Sequence, residues 1–275
     1  MEVTTKVALA VSLGISRSSL YYKKKLPEKD EQLKAQIEEV WEEFPEYGHI
    51  RLGLALGVGK NRVKRVMHFF GMKTPRRRAA KPKKPGDLGK PASPYPNLIK
   101  ELCPIAPGVV WAADFTYIPF QGRFLYLATV LDVFTREIVG FHILSVHTAA
   151  LIKGAFEDAL AKSIRIPLYH HSDQGSEYEG LNHLVRVEGL GITVSMSKKG
   201  SPWENGYQES YYSQFKLELG DPNRFETEGE LIEEIYRLIH RYNTKRIHRS
   251  LKMPPLSFAQ KFYQKTALQS SDRVC

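Results

Sequence analysis

The chain is expected to be an α/β protein, with a mixed five-stranded sheet and flanking helices preceded by small all-α modules. Three observations predict this. Residues 109–120, 124–134 and 137–145 are rich in β-branched and aromatic side chains. Gln121-Gly122-Arg123 and Thr135-Arg136 sit between these runs, as in an antiparallel meander. From Thr148 onward the pattern alternates helix, strand, helix, strand, helix, while before residue 74 apolar residues recur at helical spacing.

Residues 1–27 form a helix-turn-helix-like segment. Val7, Ala8, Leu9 and Val11 make a first apolar helix, Gly14 breaks it, and the Ser16 hydroxyl can cap a second over residues 17–23. Residues 28–73 form a second helical module. Leu33, Ile37, Val40, Trp41 and Phe44 share one face of a helix over 30–44 that Pro45 ends. A short helix over 50–56 follows, then the turn Gly57-Val58-Gly59. A basic helix over 60–70 comes next, with Val63, Val66, Met67 and Phe70 inside and Gly71 as its stop. Lys60, Arg62, Lys64 and Arg65 are left outward, as a major-groove reader requires; the plain alternative is a solvated basic face.

Residues 74–104 read as a basic, proline-rich linker. Between Lys73 and Lys100 there are nine Lys/Arg and one acid, Asp87, so this stretch carries +8 of the chain's +10. Arg76, Arg77, Arg78, Lys83 and Lys84 repel one another, and the intervening prolines lack the donor that a helix or ladder needs, so the segment suits an extended path along phosphates. The overall charge points to a polyanionic partner, nucleic acid being the commonest. Cys103 and Cys275 are the two cysteines of the 275 residues, without metal-ligand spacing, which fits a reducing cytosol. No apolar run approaches the ~20 residues of a membrane span.

Residues 105–265 hold the sheet. After the meander, a helix over 148–164 places Leu151, Ile152, Ala155, Phe156 and Leu160 on one face. A strand over 168–172, a helix over 181–190 and a strand over 192–195 follow, and Ser201-Pro202 opens a helix to about Leu219. An amphipathic helix then carries Leu231, Ile232, Ile235, Leu238, Ile239 and Tyr242 inside. Arg237, Arg241, Lys245, Arg246 and Arg249 form its basic side, with Pro254-Pro255 as its end and 266–275 as a tail.

Three acids stand out. Asp114 ends the apolar run 109–113, Asp173 closes the strand over 168–172, and Glu209 follows Asp173 with 35 residues between them. Clustered carboxylates raise one another's pKa unless a cation neutralises them. A pair of Mg²⁺ ions is the natural occupant, with oxygen ligands and positions left for substrate phosphate; Mn²⁺ can substitute. Asn205, Glu209, Tyr212 and Lys216 are spaced i, i+4, i+7 and i+11, so they share a helix face on which Lys216 can hold a phosphate. Other residues compete for these roles. Asp132 is expected to pair with Arg136 across the hairpin. Glu177 suits a supporting or solvated position, and Glu204 suits the helix dipole. His170 and His171 are weaker ligand candidates, though His171 could orient a carboxylate or phosphate. Trp203 is expected to pack in the core.

Trp111-Ala112-Ala113-Asp114-Phe115-Thr116-Tyr117, 171–178 around Asp173 and 201–210 around Glu209 resemble the three blocks of the integrase catalytic core. That is the DDE, ribonuclease-H-like superfamily of retroviral integrases and insertion-sequence transposases. Lys216 matches the group's basic residue seven positions after its Glu. Tyr242-Asn243-Thr244-Lys245-Arg246-Ile247-His248 through Leu251 resembles another of its blocks, with Ile247 where Pro is usual, and so adds Arg246 and His248 as DNA contacts. Residues 12–72 resemble the helix-turn-helix region of second-reading-frame products of two-frame insertion sequences, although Tyr47-Gly48-His49-Ile50-Arg51 departs from the usual run.

The resemblance implies a ribonuclease-H-like fold and a transposase. Asp114, Asp173 and Glu209 would bind two metal ions and catalyse single-strand cleavage at the terminal inverted repeats and strand transfer to the other element end, with a circular intermediate before integration into target DNA. It also implies a homodimer or higher oligomer, fusion to or complex with an upstream-frame helix-turn-helix/zipper protein, and a place on the nucleoid in a bacterial cytoplasm. The alternatives are a nuclease of the same fold and a non-catalytic DNA-binding regulator of transposition.

Overall fold

The computed structural model describes residues 6–16, 26–75, 95–175, 178, 181–198 and 201–271. It divides into two compact units, Met1–Thr74 and Pro75–Cys275. The second helix expected over 17–23, Arg76, Arg77, Arg78, Lys83 and Lys84 of the linker, and Glu177 lie outside the described residues. So does the side chain of Trp203.

The first unit contains α1 (Lys6–Ser12), α2 (Leu26–Glu43), α3 (His49–Ala55) and α4 (Lys60–Phe69). Gly14 takes φ +63, the left-handed conformation that ends a helix without a Cβ penalty. Leu33, Ile37, Leu52, Val63 and Val66 fill the core of α2, α3 and α4, and Tyr47 stacks on Phe44 at 4.6 Å. The helix α2 starts before Asp30 and so brings that buried carboxylate against α4. There it takes both arms of Arg65, at 2.7 and 2.8 Å. Arg62 donates to the Lys29 carbonyl at 3.3 Å. The outward basic face expected of α4 is therefore narrower: Lys60 and Lys64 are exposed, while Arg65 is engaged within the domain.

The second unit is built on a sheet of order β3-β2-β1-β4-β5. Its strands are β1 (Val110–Phe120), β2 (Arg123–Asp132), β3 (Ile138–Leu144), β4 (Tyr169–Ser172) and β5 (Thr193–Met196). The first three are antiparallel, and β4 and β5 run parallel to β1. The β1–β2 turn uses positive φ at both Gln121 (45°) and Gly122 (78°), which matches the twist of a two-residue hairpin. The apolar side chains divide by the strand period of two. Trp111, Ala113, Ala128 and Val130 pack with α5 (Ala149–Lys162) and Val187 of α6 (Leu181–Gly189). Ala112, Ile118, Leu125, Leu127 and Leu131 pack on the other face with α7 (Gly206–Leu219) and α8 (Glu228–Thr244). At Gly140, β3 runs so close to α5 that a Cβ there would fall on the backbone of Ala155 and Ala159.

The C-terminal region corrects the sequence reading in two places. Pro254-Pro255 does not end the amphipathic helix, which stops at Thr244. Pro255 instead opens α9 (Pro255–Ser271), where a missing N–H costs nothing, and the expected tail is partly helical. The basic side is also divided. Arg246 is 1% exposed and Arg241 9%. Both are turned onto Glu218 of α7, and Arg246 also donates to Gln214 at 2.9 Å. Arg246 is thus a buried clamp between elements rather than a free phosphate contact. His248 is half-buried, and its backbone bridges to Met253. No helix among the described residues is long and apolar enough to cross a membrane.

Removing one member of a buried ion pair strands the other charge, so Arg246→Ala is expected to cost about 3 kcal/mol or more. Urea denaturation measures this; a loss within about 0.5 kcal/mol would mean that the pair is screened like a surface bridge.

Candidate active site

The site forms where the sheet is interrupted. β4 pairs with Val110–Ala112 and no further, so beyond Ala112 that edge of β1 has no strand partner among the described residues. Asp114 lies just past this point, with its Oδ1 accepting from the Phe115 amide at 2.8 Å. Asp173 is the first residue after β4, its Oδ1 accepting from Gly175 at 3.1 Å. The parallel register, whose last pair is Ala112 with His171, sets Asp114 in mid-β1 level with Asp173 just past the end of β4.

The helix α7 closes the gap with side chains. Gln208, fully buried, donates to the carbonyls of Ala112 (2.6 Å) and Thr129 (3.1 Å) and accepts from the Thr129 hydroxyl at 2.9 Å. Asn205 donates to Ala113 at 3.1 Å, and the Tyr212 hydroxyl to Asp114 at 2.7 Å. The Ala113 carbonyl, past the end of the β4 ladder, needs such a donor; the others are second bonds to carbonyls on the β1–β2 side. Glu209 lies in the first turn of α7, exposed and next to Gln208. Lys216 stands two turns on, its Nζ 4.7 Å from the Tyr117 ring centroid.

Electrostatics tie the acids together. Burial pushes the Asp114 carboxyl up to about 7; the Asp173 and Glu209 charges push the same way, and the Phe115 amide and Lys216 oppose them. Among the described residues no three acid, histidine or cysteine side chains are close enough to form a ready-made metal cage. The donor set is still that of a hard cation: carboxylate oxygens alone, converging in their fields on Asp114, so that a divalent ion would relieve the repulsion.

The charges of Asp173, Glu209 and Lys216 all act on Asp114, whereas Asn205 is turned away onto the backbone. Asn205 sits in a 3₁₀ turn ahead of α7, is 5% exposed, and is spent on the Ala113 carbonyl. Gln208, which sequence reasoning missed, anchors α7 to β1. The signal was a polar residue in the buried stripe with Tyr211, Tyr212, Phe215 and Leu219. The competing groups are structural. Asp132 does not pair with Arg136; its carboxylate accepts from the amides of Gly108, Phe134 and Thr135, and Arg136 lies 4.1 Å over the Tyr207 ring. His171 bonds Ser195 at 2.9 Å, and burial lowers it to about 4. Glu204 accepts from Asn97 and from the Lys198 amide, which holds the approach to α7.

A sheet of this order, with acids on the middle strand, at the end of the adjacent parallel strand and in the first turn of the helix that crosses them, defines the ribonuclease-H-like class. Comparison with known proteins agrees. Residues 104–202 and 190–255 each match the integrase core domain family. The chain is 37% identical over 230 residues to the transposase for insertion sequence element IS904 of Lactococcus lactis, covering 80% of this chain and 90% of that one. It is 34% identical over 270 residues to the IS600 uncharacterized 31 kDa protein of Shigella sonnei, covering 92% and 98% respectively. A chain of the simian T-cell lymphotropic virus intasome, solved with PP2A regulatory subunit B56 gamma, shares the fold. It has TM-score 0.50 and 14% identity, with 79% of this chain and 72% of that one covered. The chain belongs to the integrase-core transposases of insertion sequences.

In metal-free buffer, unfolded Asp114 titrates near 3.8 and folded Asp114 near 7, so the folded state holds the extra proton between these values. Its stability is then retained below about 3.8 and falls as pH rises through about 7. Asp114→Asn is expected to match wild type at pH ~4 and exceed it by up to about 4 kcal/mol at pH ~8. Urea denaturation at the two pH values decides; equal differences at both would remove the buried-acid assignment.

Proposed function

We propose that this transposase cleaves and joins DNA at the ends of its own insertion element, with Asp114, Asp173 and Glu209 as its catalytic carboxylates. The observation that supports the reading is that Asp114 lies two residues past the last β1–β4 pair, level with Asp173, while Glu209 and Lys216 stand on the helix that Gln208 and Tyr212 fasten to β1. Those three acids would hold two Mg²⁺ ions, with Mn²⁺ as a substitute. When bound, such ions supply activation of the attacking oxygen and neutralisation of charge at the leaving oxygen. The protein's own share is positional. Gln208 and Tyr212 fix α7 on β1, so Glu209 and Asp114 flank the same space. Lys216 offers a cation at its rim to a phosphate of the bound strand.

In the first reaction a water oxygen bonds to phosphorus as the P–O3′ bond breaks, and the released 3′ oxygen takes a proton. In the second, that 3′-hydroxyl attacks another phosphodiester and displaces a 3′-hydroxyl in turn, so no covalent protein–DNA bond forms. Lys60 and Lys64 of α4 are the groups free to contact terminal-repeat DNA in the first unit, with Arg62 at the edge of that face. The Arg76–Arg78, Lys83 and Lys84 cations would follow phosphates. Handling two DNA ends implies a dimer or higher oligomer acting on the bacterial nucleoid, alone or joined to an upstream-frame helix-turn-helix protein.

Wild-type protein given a labelled terminal repeat and Mg²⁺ is expected to nick and join it. Asp173→Asn and Glu209→Gln should lower both rates by about 10²–10³-fold or more, the scale of losing one charge stabiliser in a transition state. Variants as active as wild type would remove the assignment. Mg²⁺ should also raise the thermal midpoint of wild type and leave that of Asp114→Asn nearly unmoved.

A further inference from the structure

The outer face of the β1–β2 hairpin carries a continuous run of rings that leads away from Asp114. Phe115, the next residue, lies 4.3 Å from the His147 ring; His147 stacks on Tyr126 at 5.2 Å, and Phe124 follows at 6.5 Å. Tyr117 and Phe124 close the run at 5.5 Å and 84°, so the two rings form a corner. The register explains the alignment. Tyr117 pairs with Tyr126 and Pro119 with Phe124, which puts these side chains on one face. At the inner end Phe115 and Tyr126 are half-buried and His147 is exposed, while Tyr117 is 56% exposed and Phe124 46%. The Lys216 ammonium stands over the Tyr117 ring.

This hairpin is held in place. The Gln121 amide donates to Asn223 at 2.8 Å, its side chain reaches the Glu226 carbonyl at 3.1 Å, and Arg123 pairs with Glu228 at 2.8 Å. The exposed rings are therefore a preset surface on the part of β1 that extends beyond β4, linked to the acids through Lys216, which stands over Tyr117 and acts on the Asp114 carboxyl.

We propose that Tyr117 and Phe124 form a stacking platform for an unpaired base of the DNA strand whose phosphate occupies the carboxylate site. The proposal rests on the transposase reading. Paired bases already stack within the duplex, so a ring corner of this size selects a base that has left it. Every base has a π face, so the contact tolerates sequence, and Lys216 supplies the charge for the adjoining phosphate. The platform would hold the frayed nucleotide next to the scissile bond and so position the phosphodiester against Asp114.

The test compares binding of a blunt duplex with binding of the same duplex carrying a short unpaired tail, in Ca²⁺ so that binding is read without cleavage. Wild type is expected to prefer the tailed DNA by about tenfold, the scale of one stacked base. In Tyr117→Leu and Phe124→Leu the tailed-to-blunt ratio should fall toward one, and Tyr117→Trp should keep it. A wild-type ratio of one, or a ratio unchanged in the Tyr117→Leu/Phe124→Leu double variant, overturns the proposal. Fluorescence of 2-aminopurine in the tail gives a second reading on wild type alone, with quenching expected and its absence counting against. Mg²⁺-dependent nicking is assayed in parallel. Nicking with a ring-independent ratio sinks this inference alone, whereas a ring-dependent ratio without nicking sinks the transposase reading and leaves a DNA-stacking surface.

Discussion

The fastening of α7 onto β1 is the constraint on which the site depends. A sheet ladder satisfies backbone groups only while two strands run side by side, and β4 leaves β1 at Ala112. The Ala113 carbonyl on that edge then has no β4 partner, and Asn205 answers it. On the β2 side Tyr212 adds a bond to the Asp114 carbonyl, and Gln208 spans Ala112 and Thr129. Leaving such groups unmet costs roughly 1–3 kcal/mol each, so the helix has little freedom to slide or turn. Because Glu209 is next to Gln208 and Lys216 follows Tyr212 by one turn, the bonds that fasten the helix to the sheet also aim the acid and the cation.

Asp114 shows the opposite balance. Its carboxyl is desolvated and set among like charges, an arrangement that folding alone would not favour. Local instability at a functional site persists only where the surrounding structure over-determines it. Here the surroundings are strong. Arg246 and Arg241 clamp Glu218 on the far half of α7, Asn243 of α8 bonds both backbone groups of Ile138, and Glu204 holds the loop that enters the helix.

Most of the fold was legible because it depends on local chemistry. Strand content, the Gln121-Gly122 turn and the two-sided apolar pattern of β1 can all be read along the chain. The three carboxylates were legible for a related reason: each occupies a place, within or at the end of a strand or at the start of a helix, that sequence can mark. What escaped were partners chosen by tertiary contact. Arg246 and Arg65 look like outward cations until Glu218 and Asp30 arrive from other elements. Asn205 falls on the right helical spacing but sits in a 3₁₀ turn, so the 3.6-residue period used to place it did not apply. Pro255 could equally end one helix or begin another, and only the stop at Thr244 decides between these.

The open edge of β1 links the carboxylates to the aromatic corner. Had β4 been as long as β1, a paired strand would cover Asp114 and the approach to Tyr117 alike. Its four residues leave β1 and β2 to project together, with turn residues and the segment between α7 and α8 bracing their tip. An edge left open is ordinarily a hazard, because unpaired N–H and C=O groups invite another strand. In this chain the exposed stretch is occupied on one side by side chains of α7 and on the other by large rings. On the proposed function the short strand makes room for the substrate, and the groups that guard the resulting edge are the ones a DNA strand would meet.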